Sequence, residues 1–285
     1  MAEVLTHRAS LVLTTLSVLA LLLLPTPAAA DTITILTRAA AGPDAAAIQS
    51  TVDQYRADLG GPNNGITPGS QPGGRREITW DGGGPVAPFA TFISPMTTFA
   101  NRGNVYTTPG LGFEISGQPA PEFGDINPNY PNIFTTFSSP RLFGVLGSNL
   151  MDVHFTIPGT TDTPALVRGF GAVFTDVDFT DTSSLEFFDL SGNSLGTFFV
   201  PTFNNGLSFL GVVFSETSVA RVRIRTGNAF LGPNDGGDID VVALDDFIFS
   251  EPQPVPEPAT MLLLGTGLAG LGATFRRRRQ ARRGK

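Results

Sequence analysis

Two short clusters of aspartates are the residues whose type and spacing best suit a ligand. They lie in the segments FTDVDFTDT (174–182) and GPNDGGDID (232–240). Calcium takes about six to eight oxygen ligands, mostly carboxylates and loop carbonyls, so either segment could supply part of a calcium site. Neither segment follows the EF-hand loop, and the alternative is that both are acidic, solvated turns. The candidate ligands are Asp176, Asp178, Asp181, Asp235, Asp238 and Asp240.

A second candidate is the run of alternating arginines Arg221, Arg223 and Arg225. In a strand, alternate residues point to the same face, which places these guanidinium groups about 7 Å apart along it. Guanidinium pairs well with carboxylate or sulfate through two parallel hydrogen bonds. The arginine strip therefore predicts a salt-sensitive contact with a polymer that carries carboxylate or sulfate groups, such as an acidic polysaccharide. The alternative is that the three arginines pair with neighbouring aspartates and keep the sheet soluble.

Recognisable catalytic motifs are absent from the sequence. No G-x-S-x-G, H-E-x-x-H or Walker loop occurs, and residues 31–258 contain one histidine, His154. A lone histidine on the outward side of a strand lacks the nucleophile and the orienting acid that a general base requires. We therefore predict no catalytic residue, no cofactor and no enzymatic activity. Paired carboxylates for glycoside hydrolysis stay open, because their spacing is spatial and not sequential.

The charge of the chain is unevenly distributed. The formal net charge is −7, yet residues 276–285 hold seven of the 18 basic residues. Residues 31–258 hold 10 Arg, no Lys and 24 acidic residues, which gives 10 − 24 = −14. Such a surface repels phosphate backbones, so nucleic acid is excluded as a partner of this span. The absence of cysteine also excludes disulfides and cysteine-ligated metals.

The N-terminus has the pattern of a secretory signal peptide. Arg8 precedes an apolar run from Ala9 to Leu24, and a small-residue site, Ala28-Ala29-Ala30, stands before Asp31. We expect signal peptidase to cut between Ala30 and Asp31 and to remove residues 1–30. The alternative, a retained membrane anchor, requires a run longer than this one, since a spanning helix takes about 20 residues.

The C-terminus has three parts in a fixed order. A linker, 251–258, contains Val255, Pro256, Glu257 and Pro258; an apolar stretch follows at 259–275 and a basic tail at 276–285. Seventeen residues of helix span about 26 Å, near the lower limit for a bilayer, and the arginines would stay cytoplasmic.

This order resembles the PEP-CTERM sorting signal of bacterial exopolysaccharide producers. The resemblance implies recognition by an exosortase, a membrane-embedded, transpeptidase-like protease that would cut near Pro256. It also implies a transient inner-membrane anchor at 259–275, with residues 31–258 outside. The sequence GTGLAG (265–270) matches G-x-G-x-x-G, but without the flanking strand and amphipathic helix the glycines are better explained by helix packing in a membrane.

Between the two signals the pattern predicts one helix followed by strands. Ile48, Val52, Tyr55 and Leu59 form one apolar helical face within 44–59, and Gly60-Gly61 ends it. Residues 60–75 are rich in Gly, Pro and Asn, which is typical of a surface loop or a linker. From residue 76 to 250, short alternating segments without intervening helices predict an antiparallel β-sandwich. One of them, 184–200, reads as a hairpin with its turn at Ser191-Gly192-Asn193.

Several segments of 76–250 resemble a recurring ectodomain of PEP-CTERM proteins. They are REITWDGGGP (76–85), SPRLFGVLGSN (139–149), GFGAVFTDVDF (169–179), FFDLSGNSLGTFFVP (187–201), LSFLGVVFSE (207–216) and DVVALDDFIF (240–249). The resemblance implies a jelly-roll-like sandwich related in shape to carbohydrate-binding modules and without established catalysis. The expected function is that of a non-catalytic envelope or extracellular-matrix protein associated with exopolysaccharide. The alternative is an exported polysaccharide-acting hydrolase.

Overall fold

The computed structural model describes residues 34–256, and these form fifteen strands and one α-helix. In chain order they are β1 (Ile35–Gly42), α1 (Ala45–Leu59), β2 (Arg75–Ile78), β3 (Ala90–Phe92), β4 (Asn104–Thr107), β5 (Gly112–Ile115), β6 (Phe143–Leu146), β7 (Leu150–Phe155), β8 (Ala165–Leu166), β9 (Gly169–Val177), β10 (Ser184–Phe188), β11 (Ser194–Phe199), β12 (Phe203–Phe214), β13 (Arg221–Arg225), β14 (Ala243–Ser250) and β15 (Gln253–Pro254). Short 3-10 helices lie at Ala100–Arg102 and Tyr130–Asn132.

The strands form two main sheets in which every named pairing is antiparallel. The larger sheet has the order β1-β12-β9-β14-β6-β5-β3, with β2 as an eighth strand on β14. The smaller sheet has the order β11-β10-β13-β7-β4, and β15 pairs separately with β8. The predicted mainly-β fold with antiparallel sheets and one helix is confirmed. The hairpin predicted at 184–200 is β10 and β11, which pair on either side of the expected turn.

One hydrophobic core joins the facing sides of the two sheets. Strand β7 contributes Val153 and Phe155 from the smaller sheet, and β9 contributes Phe170 and Phe174 from the larger one. Trp80 stacks on Phe143, with ring centroids 3.9 Å apart. Many of the phenylalanines therefore serve as core filler, and the two sheets form a sandwich.

The outer face of the larger sheet is covered. Helix α1 is capped at its N-terminus by Asp44, whose side chain accepts a hydrogen bond from the Ala47 amide, and at its C-terminus by Gly60. Its predicted apolar face, Ile48, Val52, Tyr55 and Leu59, is buried against Val173, Leu207, Phe209, Val213 and Ile248 of the sheet. A second cluster, which includes Phe123 and Tyr130, covers another part of the larger sheet.

Strand β1, which precedes the helix, is absent from the sequence prediction, where residues 31–75 are a helix and a loop. It pairs along its whole length with β12, from Ile35 opposite Phe214 to Gly42 opposite Leu207. Its sequence, ILTRAAAG, lacks the apolar alternation of a half-buried strand, because it lies at the sheet edge and its seven residues from Ile35 to Ala41 are all at least partly exposed.

The Gly/Pro-rich segment 60–75 is a loop that closes over a buried ion pair. Arg76 is fully buried and forms hydrogen bonds to both carboxylate oxygens of Glu251, at 2.8 and 2.7 Å. Its remaining N–H groups donate to the carbonyls of Gly65, Thr67, Gly69 and Asn101. A buried charge needs this full set of partners, so the irregular loop is the shell that makes the ion pair tolerable.

Several sequence predictions lie outside the described residues. These are the signal peptide with its Ala30–Asp31 cleavage site, Glu257 and Pro258, the apolar stretch 259–275 with its glycine motif, and the basic tail 276–285. Within 34–256, no helix has the length and apolar character needed to cross a membrane.

Candidate functional site

The outer face of the smaller sheet carries the predicted arginine strip and remains open. Outward-facing Leu150, Asp152, His154, Arg221 and Arg223 are all partly exposed, and Arg225 is exposed. The register places Arg221 opposite His154 and Arg223 opposite Asp152. The structure therefore brings the three arginines onto one accessible face, as alternation requires.

Two of the three arginines are already paired. Asp152 accepts from Arg221 Nη1 at 2.9 Å and from Arg223 Nε and Nη2 at 2.9 and 3.0 Å. Burial acts to raise the pKa of Asp152, but hydrogen bonding from Arg223 and the charge of Arg221 outweigh it and lower that pKa. Arg221 also lies over the Phe188 ring, 3.7 Å from its centroid. Among residues 34–256, Arg225 forms no ion pair, so it contributes the most accessible positive charge of the strip.

A cavity of 430 Å³ opens beside the strip at the His154 end. Thr107 Oγ1 lies 3.0 Å from His154 Nε2, which orients the imidazole, and burial lowers the pKa of His154 so that the ring is neutral at pH 7. The lining residues come from β4, β7, β13 and three connecting segments, and apart from Arg221 their scatter along the chain left them unpredicted as a site. They are Val105, Thr107, His154, Phe155, Thr156, Thr161, Asp162, Pro164, Asp189, Leu190, Gly192, Ala220 and Arg221.

The two predicted aspartate clusters meet at one end of the sandwich. Asp176 has its pKa raised to about 7 by burial and by the charges of Asp178, Asp235 and Asp240. Asp240 Oδ1 accepts from the Asp178 amide at 3.3 Å. The remaining two candidates, Asp181 and Asp238, are exposed.

This convergence does not amount to a metal centre in the described part of the chain. One oxygen each of Asp178 and Asp235 is buried without a hydrogen-bond partner, but no three acidic or imidazole side chains among residues 34–256 are placed to hold a metal ion. The calcium hypothesis stays a prediction, and the geometry adds only that both segments contribute to one cluster of carboxyl groups.

A third acidic group, missed by the sequence analysis, lies beneath the 137–141 loop. Asp245 and Asp246 are adjacent in β14, yet both are buried and both contact Ser138 Oγ, at 3.3 and 2.6 Å. A register shift between Leu244 and Phe247 interrupts the alternation that would send them to opposite faces. Burial and mutual repulsion raise the pKa of Asp245 well above its usual range, and burial raises that of Asp246 to about 6. The sequence feature that could have indicated this acidic group is the adjacent pair Asp245-Asp246 inside an otherwise apolar strand.

The antiparallel sandwich, the partly exposed outer face of the smaller sheet and the cavity beside it define a β-sandwich protein whose smaller sheet is accessible. Comparison with protein families finds the PEP-CTERM protein-sorting motif at residues 254–279. The motif confirms the resemblance drawn from Val255-Pro256-Glu257-Pro258 and marks an exported protein sorted by an exosortase. No curated protein and no solved structure matches the chain.

Proposed function

We propose that this protein is a non-catalytic component of the cell envelope or extracellular matrix that contacts exopolysaccharide through the outer face of the smaller sheet. The observation that carries the proposal is the difference between the two sheets. Helix α1 covers much of the outer face of the larger sheet, whereas the smaller sheet presents partly exposed Asp152, His154, Arg221 and Arg223 around a cavity.

Charge supports the same face as the contact. Residues 31–258 carry 10 Arg against 24 acidic residues, so most of the surface repels an anionic polymer. On the smaller sheet, three arginines lie beside two outward acids, Asp152 and Glu186, which locally reverses the sign. Arg225 lies at the end of this strip and is free of ion pairs within the described residues. Such a contact is weak and salt-sensitive because its charges are largely solvated.

The alternative function is an exported hydrolase that acts on polysaccharide. A glycosidase needs one carboxyl group that keeps its proton near neutral pH beside a second that is ionised. The cavity contains two carboxyl groups, Asp162 and Asp189, but Asp162 is exposed and Asp189 is partly exposed, so neither lies in the buried apolar surroundings that a glycosidase acid requires. This environment supports a binding surface over a catalytic cleft.

The test is cosedimentation with the producer's own exopolysaccharide at low and high salt, using protein purified from producing cells. We expect wild-type protein to cosediment at low salt and an R221A/R223A/R225A variant to lose the salt-sensitive fraction. The control is Arg38→Ala, which removes an arginine paired with Asp58 at the edge of the other sheet. Wild-type protein that stays in solution at both salt concentrations would contradict the proposal.

A further inference from the structure

The geometry points to a specific ligand class for the cavity beside the arginine strip: we infer that it is a subsite for one uncharged sugar unit of a polysaccharide. This inference rests on the proposed function and names the part of the polysaccharide that the outer face of the smaller sheet would recognise. The volume of 430 Å³ falls in the range of about 300–1,000 Å³ typical of small-ligand sites.

The polar lining suits a ligand with many hydroxyl groups. Three threonines, Thr107, Thr156 and Thr161, line the cavity. The hydroxyls of Thr107 and Thr156 are engaged with His154 and with the Thr160 carbonyl, at 3.0 Å each, but a hydroxyl has two acceptor sites in addition to its proton. Acceptors are also present on Asp162 and Asp189, and Arg221 supplies donors. A sugar hydroxyl both donates and accepts, so it can use each of these groups.

An apolar rim lies next to these polar groups. Leu190 is 52% exposed although it is a large aliphatic residue, and it stands in the β10–β11 turn at the cavity wall. Val105, Pro164 and Ala220 line the same space. The C–H face of a sugar ring would cover Leu190 while the ring hydroxyls reach the threonines and carboxylates. Burial of that exposed apolar surface favours binding.

The distribution of charge selects against acidic sugars. Asp162 and Asp189 line the cavity and would repel a uronate carboxylate. Arg221 also lines the cavity, but its guanidinium is already paired with Asp152, so the two carboxylates set the sign of the charge in the lining. An acidic sugar therefore meets like charges, whereas an uncharged polyol meets none. Negative selection of this kind contributes to specificity.

The test measures binding of soluble oligosaccharides to the exported protein by two-dimensional NMR. The probes are panels of neutral gluco-, galacto- and manno-oligosaccharides, an oligogalacturonate and a chitosan oligomer. We expect a neutral probe to shift resonances of the cavity residues and to bind about tenfold more weakly to Asp162→Ala and to Leu190→Ala, which each remove one element of the site. The matched controls, Asp125→Ala and Ile66→Ala, change an exposed acid and an exposed aliphatic residue elsewhere.

The outcomes separate this inference from the proposed function. Neutral probes that leave the cavity resonances unchanged overturn the subsite, and so does an oligogalacturonate or a chitosan oligomer that binds more tightly than every neutral probe. If the protein still cosediments with the producer's exopolysaccharide in either case, the proposed function stands without the subsite. If a neutral probe binds at the cavity but the protein does not cosediment with that exopolysaccharide, the proposed function is contradicted and the subsite stands. A melting temperature for each variant excludes unfolding as the cause of lost binding.

Discussion

At the scale of single residues, the protein tolerates several carboxyl groups in places where their charge is unfavourable. Asp176 is 2% exposed, and its Oδ1 accepts a hydrogen bond from the Asn205 amide at 2.6 Å. Burial and three neighbouring aspartates raise its pKa to about 7. Since the unfolded value is about 3.9, the folded state binds more protons than the unfolded state between about pH 4 and 7. This residue therefore contributes instability that grows as the pH rises through that range.

Replacing this carboxyl by an amide gives a direct prediction. Asp176→Asn should raise the free energy of unfolding at pH 8 by about 1–2 kcal/mol, after allowance for solvent screening, and should change it little at pH 4. Asparagine also accepts the left-handed backbone of position 176, where φ is 67°. Urea unfolding at pH 4, 6 and 8 measures the effect, with Asp125→Asn as the exposed control. A gain of equal size at all three pH values would exclude titration of Asp176 as its origin.

The same unfolding measurements test the calcium hypothesis. A cation that binds the folded chain alone raises stability by mass action, so the wild-type midpoint at pH 8 would rise with millimolar calcium. That rise would disappear in Asp178→Asn and Asp240→Asn variants if the converging carboxylates are the ligands. An unchanged midpoint would indicate that both aspartate clusters are acidic turns that bind no calcium.

At the scale of elements, the contact between α1 and the larger sheet depends on glycines that lie beneath one aromatic ring. Gly171 and Gly211 are cross-strand partners in β9 and β12. A Cβ added at Gly211 would lie 2.6 Å from the ring of Tyr55, and one at Gly171 would lie 2.8 Å from it. Glycine at these positions lets the helix approach the sheet closely enough to bury Tyr55 completely.

Gly211→Ala should therefore destabilise the protein, although alanine favours a strand more than glycine does. Overpacking of a close contact costs about 1–3 kcal/mol, which exceeds the usual gain of a glycine-to-alanine change. The control is Gly73→Ala, because a Cβ there would meet nothing within 4 Å. Thermal unfolding should show a lower midpoint for Gly211→Ala than for wild type. A midpoint equal to or above that of the control variant would contradict this account of the helix–sheet contact.

The helix and the strands with clear alternation could be predicted from sequence because their periodicity is local. The four apolar residues of α1 are the same four that the structure buries, and β10, β11 and β13 lie where the pattern placed them. Strand β1 escaped prediction because an exposed edge strand needs no apolar face. The cavity was not predicted because its lining combines segments from residue 105 to residue 221. The Arg76–Glu251 ion pair was not predicted because its partners are 175 residues apart in sequence.

At the scale of the whole molecule, the folded domain ends almost at the sorting motif. Glu251 is fixed by Arg76, and β15 holds Gln253 and Pro254 against β8, so Pro256 follows the last paired residue by two positions. An extended chain covers about 3.3–3.6 Å per residue, which places Pro256 within about 7 Å of the domain edge. An exosortase that cuts near Pro256, as the resemblance implies, would therefore act close to a folded domain.

Replacing Pro256, Glu257 and Pro258 by alanine should retain the exported protein at the inner membrane, because the protease loses its recognition sequence while the folded domain and the C-terminal stretch remain. Fractionation of producing cells, with mass spectrometry of the C-terminus, measures the retained and processed forms. The expected wild-type product starts at Asp31 and ends near residue 258. Deletion of the exosortase should give the same retained form, and a Pro233→Ala/Asn234→Ala variant, which alters an exposed loop, should be processed normally. Equal release of the motif variant and wild type would show that the match at residues 254–279 does not direct processing.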